Sequence, residues 1–358
     1  MVSVGWRSTP TDAEDRRRRQ EYRRERDTAA TAFFHPPADA CPWCGSPEVR
    51  FLLEVVDTRQ CKPGTFAMHR CTPCGHVFQN PRLTAAGLAH YYRDSYDGLG
   101  HAHYVAMAER SGGAHRDRVG LLADRPAPRT WLDVGARHGH FCREARRALP
   151  DTVFWALDPS AEVLAAVDRG WVDSASHTPL VEFAEQHRGV FDAVSAIHYL
   201  ERTATPQREV QALRAVLRTG GTALIELVNP QSRFARLHGR YWYCWMAPQN
   251  LHLMPWRNVR ALLEDHGFAV ARVQLGRANK PFDNTGALLT ALNRHLPPVR
   301  SWPWLDRPVG LPARVLRKVV MGLAAPAVAL ALAVDVLVHA VVSRGRGGNT
   351  YRIVAVAR

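Results

Sequence analysis

Thr130-Trp131-Leu132-Asp133-Val134-Gly135-Ala136-Arg137-His138-Gly139-His140-Phe141 is the stretch on which the fold turns. Thr130 to Val134 reads as a short apolar strand ending in Gly135. A helix follows, with Phe141, Ala145, Ala148 and Leu149 on one face. Glycines at 135 and 139 let the backbone approach a ligand closely, and the helix N-terminus adds partial positive charge. In dinucleotide enzymes a loop in this place holds a pyrophosphate. Asp158 lies 25 residues beyond Asp133, at the end of the next apolar run, Val153 to Leu157. An acid there can accept both hydroxyls of a ribose.

Strands and helices alternate from this point onward. A third strand is expected near Trp171-Val172 and a fourth over Phe191 to Ile197. Thr205-Pro206 opens a helix, with Thr205 as N-cap and Val210, Leu213, Val216 and Leu217 as its buried stripe. Gly220-Gly221 turns the chain into a fifth strand, Thr222 to Val228. A helix over Pro255 to His266 stops at Gly267, and a sixth strand covers Phe268 to Leu275. Tyr351 to Ala357 is the last strand. Strands spaced by amphipathic helices imply βαβ units around a parallel sheet.

Upstream, Cys41-Pro42-Trp43-Cys44-Gly45 and Cys71-Thr72-Pro73-Cys74-Gly75 are two CxxC knuckles with 26 residues between Cys44 and Cys71. Two knuckles supply the tetrahedral thiolate set that zinc prefers, and four protein ligands leave no open position. The predicted zinc is therefore structural. A redox CxxC is the rival reading, but such a pair comes once and within a βαβ unit. Cys61, Cys142 and Cys244 have no partner at ligand spacing.

With both features in place, the chain resembles a class I S-adenosylmethionine-dependent methyltransferase. More narrowly, it resembles the bacterial group that carries an N-terminal zinc ribbon and acts on sugars, polyketides or lipid-linked substrates. The likeness covers about residues 40–276 and resumes at about 345–358. Cys71 to Thr84 is similar to that group's second knuckle and following segment, and Tyr91, Tyr92 and Tyr96 to its tyrosine-bearing continuation. Leu132 to Phe141 resembles motif I, Leu157-Asp158-Pro159-Ser160 the ribose-binding segment, and His198-Tyr199-Leu200-Glu201 the "LEH" end of the fourth strand. Thr219-Gly220-Gly221, Val228-Asn229-Pro230 and Gly267-Phe268 match further landmarks. The resemblance implies a Rossmann-like seven-stranded α/β sheet, with a small zinc ribbon before it and a hydrophobic insertion before its last strand. It implies S-adenosylmethionine as cofactor, held by Asp133, Gly135, Gly139, Asp158 and Glu201, and Zn2+ on Cys41, Cys44, Cys71 and Cys74.

Three positions depart from the pattern. Arg137 replaces a motif I glycine, so its side chain must swing away from the cofactor or reshape the loop. Arg202 stands in place of the "LEH" histidine, and Asn250 takes the first histidine position of a "P-x-H-x-H" segment whose second is His252. A hydroxyl or carbon acid acceptor needs a base, and a neutral histidine suits that role near pH 7. His252 and His198 are the catalytic candidates; His138 and His140 read as loop contacts. Tyr241, Trp242 and Tyr243 are candidates to line an acceptor pocket.

The domain plan is a disordered arm over 1–39, the ribbon over 40–82, a helical linker over 83–125, and the catalytic unit over 126–276 and 346–358. An insertion fills 277–345. The arm's Asp12 to Asp27 mixes seven arginines with six acids, so it cannot bury a core and is too nearly neutral to grip RNA. The whole chain of 358 residues carries a formal +14, and 46% of it is hydrophobic, which excludes a wholly disordered protein. Residues 231–358 hold 18 basic side chains against five acids, so nearly all the excess lies in the last third.

Val319 to Val342 is almost wholly apolar and long enough to span a bilayer, but it contains Pro326, Asp335 and His339. Both its ends must return to one side if Tyr351 to Ala357 joins the sheet. A re-entrant or interfacial hairpin on the cytoplasmic face is therefore expected, ahead of a soluble cap, a dimer contact or a true span. Arg314, Arg317, Lys318, Arg344 and Arg346 flank it and would face an anionic membrane surface. The N-terminus runs into charge without an apolar stretch, which predicts a cytoplasmic protein at the membrane's inner face. A small-molecule, glycan or lipid-linked acceptor, O- or C-methylated, is the expected substrate. An RNA methyltransferase and an inactive scaffold are the alternatives; nucleic acid is not the expected partner, because the ribbon-bearing half is nearly neutral.

Overall fold

A computed structural model describes residues 12–95, 101–276, 281–305, 307–342 and 347–358. Tyr96, Arg344, Arg346 and the first 11 residues of the arm lie outside the described residues.

The described residues begin with α1 (Asp12–Ala29) and then build a ribbon from β1 (Val49–Val56), β2 (Thr65–Cys71) and β3 (Val77–Gln79). Three helices follow: α2 (Ala85–Tyr92), α3 (His101–Glu109) and α4 (Gly112–Val119). The sheet-bearing unit then runs β4 (Thr130–Val134), α5 (His140–Ala148), β5 (Val153–Leu157), α6 (Ala165–Asp168), β6 (Ser174–Ser176), α7 (Leu180–Gln186) and β7 (Phe191–Ile197). It continues with α8 (Pro206–Val216), β8 (Leu217–Val228), α9 (Arg233–His238), β9 (His252–Leu253), α10 (Trp256–Asp265) and β10 (Phe268–Gln274). The insertion contributes α11 (Asp283–His295) and α12 (Leu311–Val342), and β11 (Thr350–Ala357) closes the fold.

Seven strands form one sheet in the order β10-β11-β8-β7-β4-β5-β6. β11 runs antiparallel to both of its neighbours, and the pairings from β8 through β6 are parallel. This is the seven-stranded, Rossmann-like α/β sheet that the resemblance implies. The strand order reverses between β4 and β7, and such a switch point opens a crevice at the carboxyl ends of the strands. Leu132, Val134, Val194, Ile225 and Ile353 alternate into one core layer, while Trp131, Phe154, Leu224 and Val354 fill the other face.

Several details differ from expectation. The third strand falls at Ser174–Ser176, just past Trp171-Val172, whose Val172 packs in the core instead. Thr205 makes no side-chain capping bond, and Pro206 alone marks the helix start. Ala148 is exposed, because the buried face of α5 is His140, Phe141, Cys142, Glu144 and Ala145.

The arm is also not wholly disordered. Arg18, Tyr22 and Glu25 share one face of α1, and that face docks. Tyr22 is buried, donates to Asp94 Oδ2 at 2.9 Å and meets Trp304 edge-on at 5.1 Å. Glu25 takes Arg93 and His90. A single aromatic flanked by an ion pair at helical spacing suffices where the average composition forbids a core.

The expected hairpin within 319–342 is not formed. That segment belongs to one helix of 32 residues, α12, about 48 Å long at 1.5 Å per residue. It lies antiparallel to α11. Asp335 accepts from the backbone N–H groups of Asn284 and Thr285 at the start of α11, and Arg317 donates to Asn293 and to the Pro297 carbonyl at its end. The acid that looked costly in a bilayer is thus a buried cap for a neighbouring helix. The outer face is bare: Leu323, Leu330 and Leu337, seven residues apart, are 78%, 67% and 71% exposed.

Candidate functional site

The crevice is built from the loop after β4. Asp133 is buried at the end of the strand, where Ser195 donates to it at 2.6 Å, and burial pushes its carboxyl up to about 7. The amides of Gly135 and Ala136 turn back onto the Leu157 carbonyl at 2.8 and 3.1 Å, which fastens the loop to β5. Gly135 and Gly139 have φ of 74° and 78°. A Cβ on Gly135 would sit 2.9 Å from the Tyr199 ring, and one on Gly139 would sit 2.9 Å from Ala166 Cβ. Only glycine meets both demands.

Asp158 closes the loop from the side. Its Oδ2 accepts the Arg137 amide and its Oδ1 the Ser160 amide, both at 2.9 Å. An ionised carboxylate has about four acceptor positions, the chemistry a ribose diol asks for. Arg137 resolves its own departure from the family pattern. It keeps the left-handed backbone of the glycine it replaces, at φ 54°, and its guanidinium lies 5.3 Å from the centre of the Tyr104 ring. Tyr104 in turn packs on His138 at 4.8 Å, so α3 covers the loop.

Glu201 and His198 stand at the end of β7. Glu201 Oε1 receives His198 Nδ1 at 2.9 Å, while Glu201 Oε2 is buried with no hydrogen-bond partner among the described residues. His198 Nε2 faces Glu226 Oε1 at 3.2 Å. Burial alone would lower the proton affinity of the imidazole, but the two carboxylates outweigh it and hold the pKa up, at about 9. His198 is therefore an imidazolium at neutral pH. It orients Glu201 and is not placed to take a proton.

Sequence reasoning missed what lies behind it. Glu226 on β8 is fully buried and accepts from Arg118 on both of its oxygens, at 2.6 and 2.8 Å. Arg352, its register partner on β11, adds a third bond at 2.6 Å. Burial would raise the Glu226 pKa, but these cations hold it well below the carboxylate range. The available signal was one acid and one arginine inside otherwise apolar strands, Ala223 to Val228 and Tyr351 to Ala357.

His252 sits elsewhere. β9 adds to the ribbon sheet beside β3, which places His252 opposite Phe78 in the seam between ribbon and sheet-bearing unit. It is buried, its Nδ1 lies 3.1 Å from His76 Nε2, and the rings stack at 5.1 Å. Burial, with Arg82 nearby, lowers its pKa to about 3. A base role is thereby replaced by a packing role. The other two departures face each other: Arg202 Nε donates to Asn250 Oδ1 at 3.3 Å.

The four knuckle cysteines converge. Their sulfurs lie within 4.8 Å of one another, with Cys41–Cys74 at 3.7 Å and Cys44–Cys71 at 3.6 Å. Tetrahedral zinc with bonds of about 2.3 Å separates its sulfurs by about 3.8 Å, so the set fits the metal. The turn of the first knuckle points the Trp43 N–H at the Cys41 sulfur, and His76 Nδ1 approaches the same sulfur at 3.6 Å.

Residues 107–273 match a family model described as a methyltransferase domain. No curated protein matches the chain. Among solved structures, the chain is similar to a SAM-dependent methyltransferase from Archaeoglobus fulgidus, at 15% identity and TM-score 0.43, over 71% of this chain and 99% of that one. It is also similar to the 1,6-didemethyltoxoflavin-N1-methyltransferase of Burkholderia thailandensis, solved with bound 1,6-didemethyltoxoflavin and S-adenosylhomocysteine. That likeness has 16% identity and TM-score 0.41, over 58% of this chain and 87% of that one. Likenesses this loose carry no argument about substrate.

Proposed function

We propose that the protein transfers a methyl group from S-adenosylmethionine to an oxygen or carbon of a small-molecule, glycan or lipid-linked acceptor at a membrane surface. One observation carries this reading: two left-handed glycines and the Asp158 carboxylate converge at the switch point of the sheet. S-adenosylmethionine supplies an electrophilic methyl on a sulfonium, which asks chiefly for in-line geometry and exclusion of water. Asp158 would receive the ribose hydroxyls, and Gly135 and Gly139 would let the backbone close on the cofactor. The unpartnered Glu201 Oε2 is a second, buried acceptor at the same end of the sheet. The cysteine set would hold a structural Zn2+.

Calorimetric titration of the folded, zinc-loaded chain with S-adenosylmethionine tests the cofactor. Binding is expected, and Asp158→Asn should weaken it by about tenfold or more, because a charge-assisted bond contributes roughly 1.5–3 kcal/mol. No heat at millimolar cofactor would overturn the reading.

The bare leucine stripe of α12 supports the membrane part. A soluble core helix would be covered, whereas only 6% of the apolar window here is buried. Its ties to α11 favour a helix lying in the interface. The chain is expected to float with anionic vesicles. Leu323→Glu, Leu330→Glu and Leu337→Glu together should abolish flotation without lowering the unfolding midpoint, since these side chains touch little of the protein. Wild-type protein that stays in the bottom fraction would overturn this part.

A further inference from the structure

Leu237 is 70% exposed, more than any other large apolar side chain outside α12 among the described residues. It shares the outer face of α9 with Arg233 and Arg236, at helical spacing, and Arg240 follows just past the helix end. All three arginines are exposed, whereas Phe234 and Ala235 turn inward onto the core. None of the three guanidiniums makes a hydrogen bond or ion pair among the described residues. The sequence holds no acid between Glu226 and Glu264. The one acid of α11, Asp283, and the one acid of α12, Asp335, are buried and hydrogen-bonded inward. The face is therefore a leucine among arginines, with no carboxylate on these three elements left to neutralise it.

Bonds at both ends of α9 hold this face in place. Ser232 caps the helix by accepting the Phe234 amide at 3.2 Å, and its hydroxyl donates to the Gly347 carbonyl at 3.2 Å. Asn229 ties the preceding turn to the Gly348 carbonyl at 3.0 Å, directly after β8, whose carboxyl end borders the crevice. At the far end His238 stands against the Asn284 side chain, and Asn284 donates to Asp335 Oδ1 at 2.8 Å. Asp335 is two residues from Leu337 of the bare α12 stripe. The basic face and the leucine stripe thus flank one joint. The geometry points to α9 as a second contact with an anionic bilayer: Leu237 enters the interface, Arg233, Arg236 and Arg240 meet lipid phosphates, and the carboxyl end of β8 is brought next to the lipid. A bilayer is favoured over RNA because a leucine stands among the arginines and the surface beyond the joint is apolar. The inference rests on the membrane reading and adds to it the face that is turned toward the lipid.

Partitioning of the full zinc-loaded chain onto phosphatidylcholine vesicles, with and without phosphatidylglycerol, tests it. Arg233→Gln, Arg236→Gln and Arg240→Gln should each weaken binding to the anionic vesicles about fivefold, and all three together about a hundredfold, with little change on neutral vesicles. Leu237→Ser should weaken binding to both kinds about tenfold. The unfolding midpoint should stay at the wild-type value in every variant, since these side chains are exposed. The amides of Arg233–His238 should gain hydrogen-exchange protection when anionic vesicles are added. A triple variant that partitions like wild type, or α9 amides that gain no protection while those of α12 do, overturns the α9 contact and leaves the membrane reading standing on α12. Arginine variants that lose binding to single-stranded RNA but keep vesicle binding also overturn it. Wild-type chain that binds neither kind of vesicle overturns this contact together with the membrane reading, whereas absent cofactor binding with vesicle binding intact overturns the methyl-transfer reading alone.

Discussion

Removing the Zn2+ proposed on Cys41, Cys44, Cys71 and Cys74 should unfold the knuckle end of the ribbon and loosen the seam it shares with the sheet-bearing unit. The knuckle end of the ribbon has little core of its own, whereas its strands place Val55, Phe66, Met68 and Val77 in a core shared with Trp242, Leu251 and Leu253. The apolar cluster around the knuckles is Cys41, Cys71 and Phe78, with Trp43, Val49 and Cys74 partly covered. A metal bound by four thiolates contributes on the order of 10–16 kcal/mol to such a module. Its loss exceeds what Phe78 at the knuckles can offset, at roughly 1.5–3 kcal/mol for a fully buried apolar side chain.

The damage should spread by a definite route. His76 touches the Cys41 sulfur on one side and His252 on the other, and the neighbouring Leu251 N–H donates to the Glu201 carbonyl at 2.7 Å. Chelation, or Cys71→Ser, is thus expected to strip hydrogen-exchange protection from β2, β3 and β9 while β4, β7 and β8 stay protected. Cofactor affinity should fall because Glu201 loses its support. Unchanged protection of the Val77–Gln79 amides in metal-free protein would show that the ribbon holds itself together.

The difference between what was legible and what was not follows from chain distance. Trp131, Leu132 and Val134 declare a buried strand by themselves, and Gly135, Gly139 and Asp158 are linked by a short, regular connection. The roles of His198 and His252 were not legible, because each is set by a distant partner. His198 becomes a cation through Glu226, 28 residues later, and His252 becomes a seam residue through His76, 176 residues earlier. Spacing within a segment also shows where an apolar helix is, but not what its acid caps; Asp335 meets Asn284 and Thr285 from 51 and 50 residues away. Even Arg202 and Asn250, read separately as losses, prove to be one hydrogen-bonded pair.

The second large effect lies in the buried charge cluster. Glu226→Gln keeps the side chain's volume but leaves Arg118, Arg352 and the His198 imidazolium facing a neutral amide. Breaking a buried pair from one side costs about 3–5 kcal/mol, because the partner charges stay behind desolvated. Urea unfolding at pH 6 should register a loss in that range; a loss below about 1 kcal/mol would mean that water or rearrangement compensates the cations.

pH separates this cluster from an ordinary ion pair. The His198 pKa is raised from an unperturbed 6.5 to about 9 in the folded chain. A raised histidine contributes stability that is fully present below the unfolded pKa and is lost as pH rises through the folded one. Each pKa unit corresponds to about 1.4 kcal/mol, so wild type should lose about 3 kcal/mol between pH 6 and pH 9.5 on this account. His198→Gln should flatten that window while leaving the Arg118–Glu226–Arg352 contacts in place. Glu226→Gln should move the loss to lower pH, since one of the two carboxylates holding the proton is gone. If wild type and His198→Gln show the same slope across the window, the imidazolium is not what joins Glu201 to Glu226, and the support assigned here to the cofactor-side carboxylate must come from the Val228 amide instead.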